Sequence, residues 1–213
     1  MGAHTVGDTD EVGGTDDRSG TAVRAGAAAP PEPDLAALAE RARAALVQTI
    51  DASGAWRDDP VWREAFTAVP RHLFVPYYYV ATERGYERRW GEHPDPGERA
   101  EWLRGAYADV PLATRLRDGE LVSSSSQPSL MARMLTALRI EDGNRVLEIG
   151  AGTGYNAALL AHRLGDDALV TTVDLDPEIT ESARRHLAAA GHRPAVVAGD
   201  GARGVAERAP FDR

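Results

Sequence analysis

The sequence of 213 residues contains no cysteine at all. Without thiols the chain cannot form disulfide bonds, and it offers neither a thiol nucleophile nor a thiolate metal site. Histidine is the remaining strong metal ligand, yet His162, His186 and His192 show no metal-ligand spacing with carboxylates. The sequence therefore predicts no bound metal.

Long hydrophobic runs and an excess of positive charge are also missing. No apolar run reaches the length that crosses a bilayer, and the first residues lack the apolar core of a signal peptide, so we expect a soluble, cytoplasmic protein without a membrane partner. The 24 Lys and Arg residues are outnumbered by 33 Asp and Glu, a formal net charge of −9, which argues against a nucleic-acid partner. Hydrophobic residues make up 43% of the chain, enough for a core.

Three stretches of different composition divide the chain. Residues 1–33 are rich in Gly, Ala, Asp and Thr, show no periodicity and end in a proline cluster, so we expect a disordered tail. Residues 34–126 combine two amphipathic helices, at about 34–50 and 61–68, with irregular segments, which predicts a mainly helical N-terminal region. Residues 127–213 carry alternating helix and strand patterns, which predicts an α/β domain.

The most informative stretch is V-L-E-I-G-A-G-T-G-Y-N at residues 146–156. Its first four residues are typical of a short, buried parallel strand, and a helix is predicted to follow from Tyr155. The alternating glycines between them allow a sharp turn and a close approach to a ligand. Free N–H groups and the dipole at the start of the helix favour a carboxylate or a phosphate there.

Two interpretations of this turn compete. A dinucleotide fingerprint, G-x-G-x-x-G, would place its third glycine at position 155, which is tyrosine, so that match fails and a nicotinamide-dependent oxidoreductase is disfavoured. The other interpretation is a glycine-rich turn that binds no ligand at all. The pattern that stands here is E-x-G-x-G-x-G, formed by Glu148, Gly150, Gly152 and Gly154.

The ends of two later strands carry acidic residues. Asp174 ends the strand predicted at 168–173, about 20 residues beyond the turn, where an acidic side chain can hold a ribose diol. Asp176 precedes Pro177 and is the better cap for the next helix, so we interpret Asp174 as the ribose ligand. The third strand, 195–198, runs into Gly199, Asp200 and Gly201, which on local grounds alone is an ordinary turn.

The glycine turn resembles that of the S-adenosylmethionine-dependent methyltransferases, and three further blocks narrow the resemblance. V-P-R-H-L-F-V-P at 69–76, Y-A-D-V-P-L at 107–112 and S-S-Q-P at 125–128 are similar to blocks of the protein-L-isoaspartate O-methyltransferase family. The resemblance implies a Rossmann-like methyltransferase fold, S-adenosyl-L-methionine as cofactor and a peptide or protein substrate with an aspartyl or isoaspartyl carboxylate. Oligomeric state is left open.

The same resemblance assigns roles to individual residues. Glu148, Gly150, Gly152 and Gly154 would bind the cofactor beside its methionine end, Asp174 its ribose, and Asp200 with Gly201 its adenine. Ser126 would lie in the active site near the substrate carboxylate. From the residues alone, Ser126 is also well placed as the N-cap of a helix over 127–138.

Residues 81–105 depart from the family pattern and leave the substrate open. This charged stretch is either a solvated loop anchored by Trp90 and Trp102 or a substrate-recognition element. In the second case the two tryptophans would anchor the peptide substrate, and Arg84, Arg88 and Arg89 would be available for its acidic groups. Similarity to a branch encoded with ribosomal-peptide (graspetide or lanthipeptide) systems favours peptide maturation. The alternatives are generic isoaspartyl repair and, from another class, a fragment that binds cofactor or peptide without turnover.

Only three of the family's seven strands can be counted in this sequence. The predicted fold is therefore the first three parallel strands of the sheet, incomplete at the C-terminal end, where A-P-F-D-R at 209–213 resembles the lead-in to a fourth strand. The strand 146–149 would then present an uncovered apolar edge. We expect low stability and little turnover from the chain alone.

Overall fold

A computed structural model of the chain describes residues 33–57 and 59–213. The disordered tail predicted for residues 1–33 lies almost wholly outside these described residues. The N-terminal region begins with helix α1 (Leu35–Ser53), whose first turn is capped by the Asp34 carboxylate accepting from the backbone N–H of Ala37. Helices α2 (Val61–Ala68) and α3 (Pro96–Ala106) follow, and α3 is capped in the same way by Asp95.

The N-terminal region also contains an antiparallel sheet that the sequence analysis does not predict. Its four strands, in the spatial order β2-β1-β3-β4, are β1 (Tyr77–Thr82), β2 (Gly85–Trp90), β3 (Leu112–Arg117) and β4 (Glu120–Ser125). The sequence does not predict these strands because many of their outward side chains are charged, a pattern that resembles a solvated loop. Strands β1 and β3 also pair across about 30 residues of intervening chain, a contact that no local pattern encodes.

Residues 81–105 are therefore not a solvated loop, and Trp102 is not a surface anchor. Trp102 is only 7% exposed, and its indole Nε1 donates to the backbone oxygen of Val75 at 3.0 Å. Trp102 therefore anchors its own segment, as the first alternative has it, and the prediction that it anchors a substrate is wrong, because α3 packs this ring against the sheet. Trp90 is half-buried at the end of β2 and packs against the ring of His93.

The C-terminal region has the α/β organisation that the sequence predicts. Its elements in chain order are α4 (Pro128–Leu138), β5 (Val146–Ile149), α5 (Tyr155–Leu164), β6 (Val170–Asp174), α6 (Pro177–Ala189) and β7 (Ala195–Ala198). The three strands form a parallel sheet in the order β5-β6-β7. The Rossmann-like arrangement of three parallel strands is thus confirmed.

The register of the parallel sheet aligns the ends of its strands. Ile149 pairs with Val173, and Asp174 pairs with Ala198. Because all three strands run in the same direction, their carboxyl ends and the turns that follow meet at one edge of the sheet, where open α/β sheets bind ligands.

Strand β5 lies at the border of this sheet, and its outer side is partly paired. The backbone N–H of Leu147 donates to the carbonyl of Arg213 at 3.0 Å, and the N–H of Asp212 donates to the carbonyl of Arg145 at 2.8 Å. These bonds lie at the amino end of β5. Towards its carboxyl end, Ile149 is 67% exposed. The predicted apolar edge is therefore covered at the amino end of β5 and open at its carboxyl end.

A single hydrophobic core joins the two regions. Phe66 and Phe74 pack their rings against Tyr155 at the start of α5, with centroids 6.2 and 5.5 Å apart, and all three are 2% exposed or less. The residues on either side of residue 126 therefore share one core. The predicted division into an N-terminal region and a cofactor-binding domain concerns their roles and stays a prediction. In the part of the chain that the structure describes, none of the helices is long and apolar enough to cross a membrane.

Candidate functional site

The glycine turn between β5 and α5 forms a tight bend against the neighbouring strand. Gly150 and Gly152 have φ angles of 98° and 51°, values that side chains rarely adopt, and the N–H of Gly150 donates to the carbonyl of Val173 at 2.7 Å. A Cβ added to Gly150 would meet no atom within 4 Å, so this position opens onto free space. Helix α5 starts without a side-chain cap. The N–H groups of Gly150, Ala151, Gly152 and Gly154 are all bonded within the protein, so what the turn offers a ligand is close approach to its backbone.

Gly154, the third glycine of the pattern, has a packing role. Its φ is 86°, and a Cβ at this position would lie 3.1 Å from Cγ of Leu187 and 3.2 Å from the backbone oxygen of Ala183. Both of those residues belong to α6, so the glycine permits close contact between α5 and α6. Its assignment as a cofactor contact stays a prediction.

Asp174 at the end of β6 is fixed by two backbone donors. Its Oδ2 accepts from the N–H of Gly152 at 3.1 Å, and its Oδ1 accepts from the N–H of Asp176 at 3.3 Å. The structure therefore brings this carboxylate onto the glycine turn, and its role as the ribose ligand stays a prediction. A carboxylate has about four lone-pair sites, so both oxygens keep acceptor capacity for a pair of hydroxyl groups.

Glu148, on β5, has an unusual environment for a carboxyl group. Oε1 accepts from the side-chain amide of Asn156 at 2.8 Å, whereas Oε2 is buried without a hydrogen-bond partner. Burial raises the pKa of Glu148 to about 7, an effect that the neighbouring Thr172 and Asn156 oppose and that the charge of Asp174 reinforces. Thr172 lies directly across the sheet and is fully buried, and its hydroxyl is close enough to oppose this rise without making a hydrogen bond of ordinary geometry.

Asp200 and Gly201 follow β7 at the same edge of the sheet. Asp200 caps a short 3₁₀ turn through the N–H of Ala202, which is the ordinary turn role considered above, and its side chain is exposed. Gly201 lies against the first strand, because an added Cβ would come within 2.5 Å of Cγ2 of Ile149. The loop after β7 is thus held close to the end of β5.

Ser126 lies on the same groove as the glycine turn but does not cap α4. The structure places Gln127 at the N-cap position, without a side-chain bond to the helix. The first turn is instead capped from a distant loop, because Oδ1 of Asp109 accepts from the N–H of Ser129 at 2.8 Å. The prediction that Ser126 is the N-cap is wrong, since the Asp109 carboxylate takes up that donor and leaves the Ser126 side chain exposed.

The groove beside Ser126 is an open cavity of about 360 Å³ between α4 and β5. One wall carries apolar side chains of α4, including Met131 and Met134, and the other carries the backbone from β5 into the glycine turn. A mostly apolar cleft with a few converging polar groups is typical of a small-molecule site. Ser124 to Ser126 form its polar rim.

Arg71 holds the loops around this site together, and sequence analysis missed it. The side chain is fully buried, and its guanidinium donates to the carbonyls of Ala106 and Ala108 at 2.9 and 3.0 Å and to that of Ser126 at 3.2 Å. Burial lowers the pKa of Arg71 from its ordinary value. An arginine next to His72 in a signature block is the only sequence signal, because its partners lie 35 to 55 residues later.

The hairpin of β3 and β4 is tied to the loop after β6 by a cluster of charges. Arg117 pairs with Asp176 at 2.9 Å, and Arg115 contacts both Asp176 and Glu178. Asp176 also caps α6 through the N–H of Glu178, as the sequence predicts. The cluster therefore links a hairpin that leads into Ser126 with the loop that holds Asp174.

Within residues 33–57 and 59–213, no group of three or more His, Cys, Asp or Glu side chains is arranged to hold a metal ion.

Comparisons with known proteins agree on one family. A family model described as protein-L-isoaspartate(D-aspartate) O-methyltransferase (PCMT) matches residues 98–213. A protein of Thermotoga maritima named protein-L-isoaspartate O-methyltransferase is 44% identical over 111 residues, which cover 52% of this chain and 35% of that protein. The protein of the same name from Ignicoccus hospitalis is 32% identical over 175 residues, which cover 82% of this chain and 69% of that protein.

The chain spans about half the length of several curated relatives; protein-L-isoaspartate O-methyltransferase 1 of Archaeoglobus fulgidus, 37% identical over 150 residues, is covered to 56%. A solved protein-L-isoaspartate O-methyltransferase superposes with a TM-score of 0.61 at 32% identity, covering 80% of this chain and 46% of that structure. A protein from Plasmodium falciparum, titled as a putative enzyme of this name in complex with S-adenosyl-L-homocysteine, has a TM-score of 0.52 at 14% identity and supports the fold alone.

Proposed function

The chain belongs to the protein-L-isoaspartate(D-aspartate) O-methyltransferase family, and on that premise we propose that it is an S-adenosylmethionine-dependent carboxyl methyltransferase. Its proposed substrate is a peptide or protein that bears an isoaspartyl carboxylate. The observation that carries the proposal is the Asp174 carboxylate bound to the N–H of Gly152, which sets an acceptor for a ribose directly on the glycine turn.

The residues at the sheet edge fit this cofactor. A Cβ added to Gly150 or Gly199 would meet no atom within 4 Å, so both positions leave space for a ligand. Oε2 of Glu148 is a buried acceptor that a ligand donor would satisfy. Glu148 and the glycine turn would hold the amino-acid end, Asp174 the ribose, and the loop with Gly201 the adenine. When bound, the cofactor supplies an electrophilic methyl group on a sulfonium.

The chain's own contribution is to bind and align. A substrate carboxylate is ionised near neutral pH and is already nucleophilic, so the site needs no general base. Ser126, exposed on the groove, can donate its hydroxyl to one carboxylate oxygen and leave the other free to react. Arg71 fixes the backbone of Ser126, which keeps the hydroxyl at a constant place relative to the glycine turn.

Generic isoaspartyl methylation is the substrate assignment that we favour over ribosomal-peptide maturation. The relatives that match carry the generic name. Peptide maturation rested partly on Trp90 and Trp102 as joint surface anchors, and the burial of Trp102 against Val75 removes one of them. Localisation in the cytoplasm remains a prediction from the sequence.

Calorimetric titration of the chain with S-adenosylhomocysteine tests the cofactor assignment. Asp174→Asn should weaken binding by about 1–3 kcal/mol, because the ribose hydroxyls lose a charged acceptor. Asp142→Asn, at a side chain 91% exposed, is the matched control and should bind like the parent. Equal affinity of Asp174→Asn and the parent, or tighter binding of NAD, would contradict the assignment.

Methyl transfer is measured separately, with a labelled methyl donor and two hexapeptides that differ only in an isoaspartyl or an aspartyl residue. Labelling of the isoaspartyl peptide alone is the result expected for the proposed enzyme. Tight binding of S-adenosylhomocysteine without labelling of either peptide would instead support a binding module that turns nothing over.

A further inference from the structure

One face of the N-terminal sheet carries aromatic rings around an arginine. Residues opposite each other on antiparallel strands share a face, and Tyr77 pairs with Trp90 while Tyr79 pairs with Arg88. The Arg88 guanidinium carbon lies 4.5 Å from the ring centroid of Tyr77 and 5.4 Å from that of Trp90. Tyr86, next along β2 on this side, is 44% exposed. We call Tyr77, Tyr79, Tyr86, Arg88 and Trp90 the aromatic face.

The opposite face of the same two strands is already occupied. Tyr78 is 4% exposed and its hydroxyl donates to the backbone oxygen of Trp102 in α3. Arg89 forms ion pairs with Glu87 and with Glu98 of α3. The contrast shows that α3 packs on one side of the hairpin and leaves Arg88 and Tyr86 exposed on the other.

Two guanidinium groups at this hairpin have no acidic partner. Arg88 on β2 and Arg84 in the turn between β1 and β2 are both exposed, and among the described residues neither forms an ion pair with a carboxylate. Stacking between rings holds Arg88 in place while its N–H groups remain free to donate. In a chain with a formal net charge of −9, unpaired positive charge fixed on rigid rings favours an acidic ligand.

The aromatic face reaches the candidate active site. Tyr77 lines a small cavity of about 50 Å³ together with Arg115 on one side and Gly152 and Thr153 of the glycine turn on the other. A polypeptide whose reacting residue lies at the turn would therefore pass along this face with the residues that flank it. Backbone and side-chain contacts with Tyr and Trp rings are typical of the central part of peptide interfaces.

We infer that the aromatic face binds the substrate polypeptide outside its reacting residue and selects segments that carry acidic side chains near the isoaspartyl group. This inference rests on the proposed function for the identity of the substrate. Arg88 is the central contact, Arg84 extends the positive charge to the tip of the hairpin, and the tyrosine and tryptophan rings supply apolar area.

The test is fluorescence anisotropy with the full chain and labelled isoaspartyl peptides, one with flanking glutamates and one with glutamines in their place. The acidic peptide should bind roughly fivefold more tightly or better, which corresponds to about 1 kcal/mol, and the difference should shrink as salt is added. Arg88→Glu and Arg84→Glu should each remove the preference. Arg104→Glu, at an exposed arginine of α3, is the matched control and should keep it.

Two results would overturn the inference: equal affinity for the acidic and the neutral peptide, or an unchanged preference in Arg88→Glu. A single-stranded oligonucleotide that displaces the acidic peptide more effectively than unlabelled peptide does would also overturn it, because arginine and aromatic rings can bind nucleobases. Methylation assays separate this from the proposed function. Binding of acidic peptides through Arg88 without methyl transfer would defeat the enzyme assignment alone, whereas methylation without charge preference would defeat only the inference.

Discussion

Gly154 has a different task from the two glycines before it in the turn. A methyl group at this position would press on Leu187 and Ala183 of α6, whereas the corresponding space at Gly150 is empty. The alternating pattern thus combines two requirements: backbone access to a ligand in its first part and contact between two helices at its end.

Replacing Gly154 by alanine should destabilise the fold. The substitution combines a left-handed φ of 86° with a Cβ contact of 3.1 Å, so we expect a loss of roughly 2–4 kcal/mol in the free energy of unfolding. Urea unfolding measures it. Gly165→Ala, with a φ of 68° and open space around the Cβ, isolates the backbone cost and should lose less. Equal losses in both variants would show that packing on α6 is not what demands the glycine.

Glu148 should make stability depend on pH in an unusual direction. Its folded-state pKa of about 7 lies above the ordinary value of 4.5, so between these values the folded chain keeps a proton that the unfolded chain releases. This contribution is complete below about pH 4.5 and is lost as the pH rises to about 7. The parent should therefore lose stability across this window relative to Glu148→Gln, which cannot ionise.

Thermal unfolding across that window gives the measurement. The gap in Tm between Glu148→Gln and the parent should widen with pH by several degrees, since 1 kcal/mol shifts Tm by about 2–4 °C in a chain of this size. Glu141→Gln, at an exposed turn, is the control. Parallel pH profiles for Glu148→Gln and the parent would mean that the buried carboxyl is not held protonated.

At the scale of elements, the β3–β4 hairpin and the amino end of α6 act as one assembly. Removing both arginines, in Arg115→Ala with Arg117→Ala, frees the loop in which the N–H of Asp176 supports the Asp174 carboxylate. We expect affinity for S-adenosylhomocysteine to fall about twofold to fivefold, because exposed ion pairs contribute little individually. Calorimetry at low and high salt checks this prediction.

The matched control is Arg185→Ala, an exposed arginine of α6 whose partner Glu181 lies in the same helix. It should leave affinity unchanged. If the double variant binds as well as this control, the hairpin does not support the proposed ribose site and the ion pairs serve stability only.

The elements that sequence predicts are those whose signals are local. Helix α1 begins after the Asp34 cap and α6 begins at Pro177 after the Asp176 cap, and both lie where caps and periodicity place them. The strand ends that carry Glu148 and Asp174 were predictable because a parallel sheet aligns them. The pairing of β1 with β3 and the Asp109 cap of α4 were not, since each depends on a partner about 20 residues or more away along the chain.

At the scale of the whole molecule, the groove between α4 and β5 exposes large apolar side chains on both of its walls. Met134 is 62% exposed and Ile149 is 67% exposed, on facing walls of one cavity. Contiguous exposed apolar surface beside a strand with free backbone groups promotes association. We therefore expect the chain to bind a hydrophobic dye and to self-associate as its concentration rises.

Met134→Lys should reduce both effects, because a charge in the groove opposes burial of its walls. Val61→Lys, at a residue of α2 that is 45% exposed outside the groove, is the control and should behave like the parent. Dye fluorescence and light scattering over a dilution series provide the readouts. A parent chain that stays monomeric and binds no dye would contradict this prediction.

The buried Arg71 side chain also sets an order of events during synthesis. Its acceptors are the carbonyl groups of Ala106, Ala108, Val110 and Ser126 and the hydroxyl of Ser125, and none of them is outside the ribosome when Arg71 emerges. Until Ser126 has emerged, the guanidinium stays hydrated and the helices that precede it cannot close around it. Arg71 cannot be buried with its hydrogen bonds satisfied until residues 106–126 have also left the ribosome. Assembly of the N-terminal half of the fold is therefore post-translational or late co-translational.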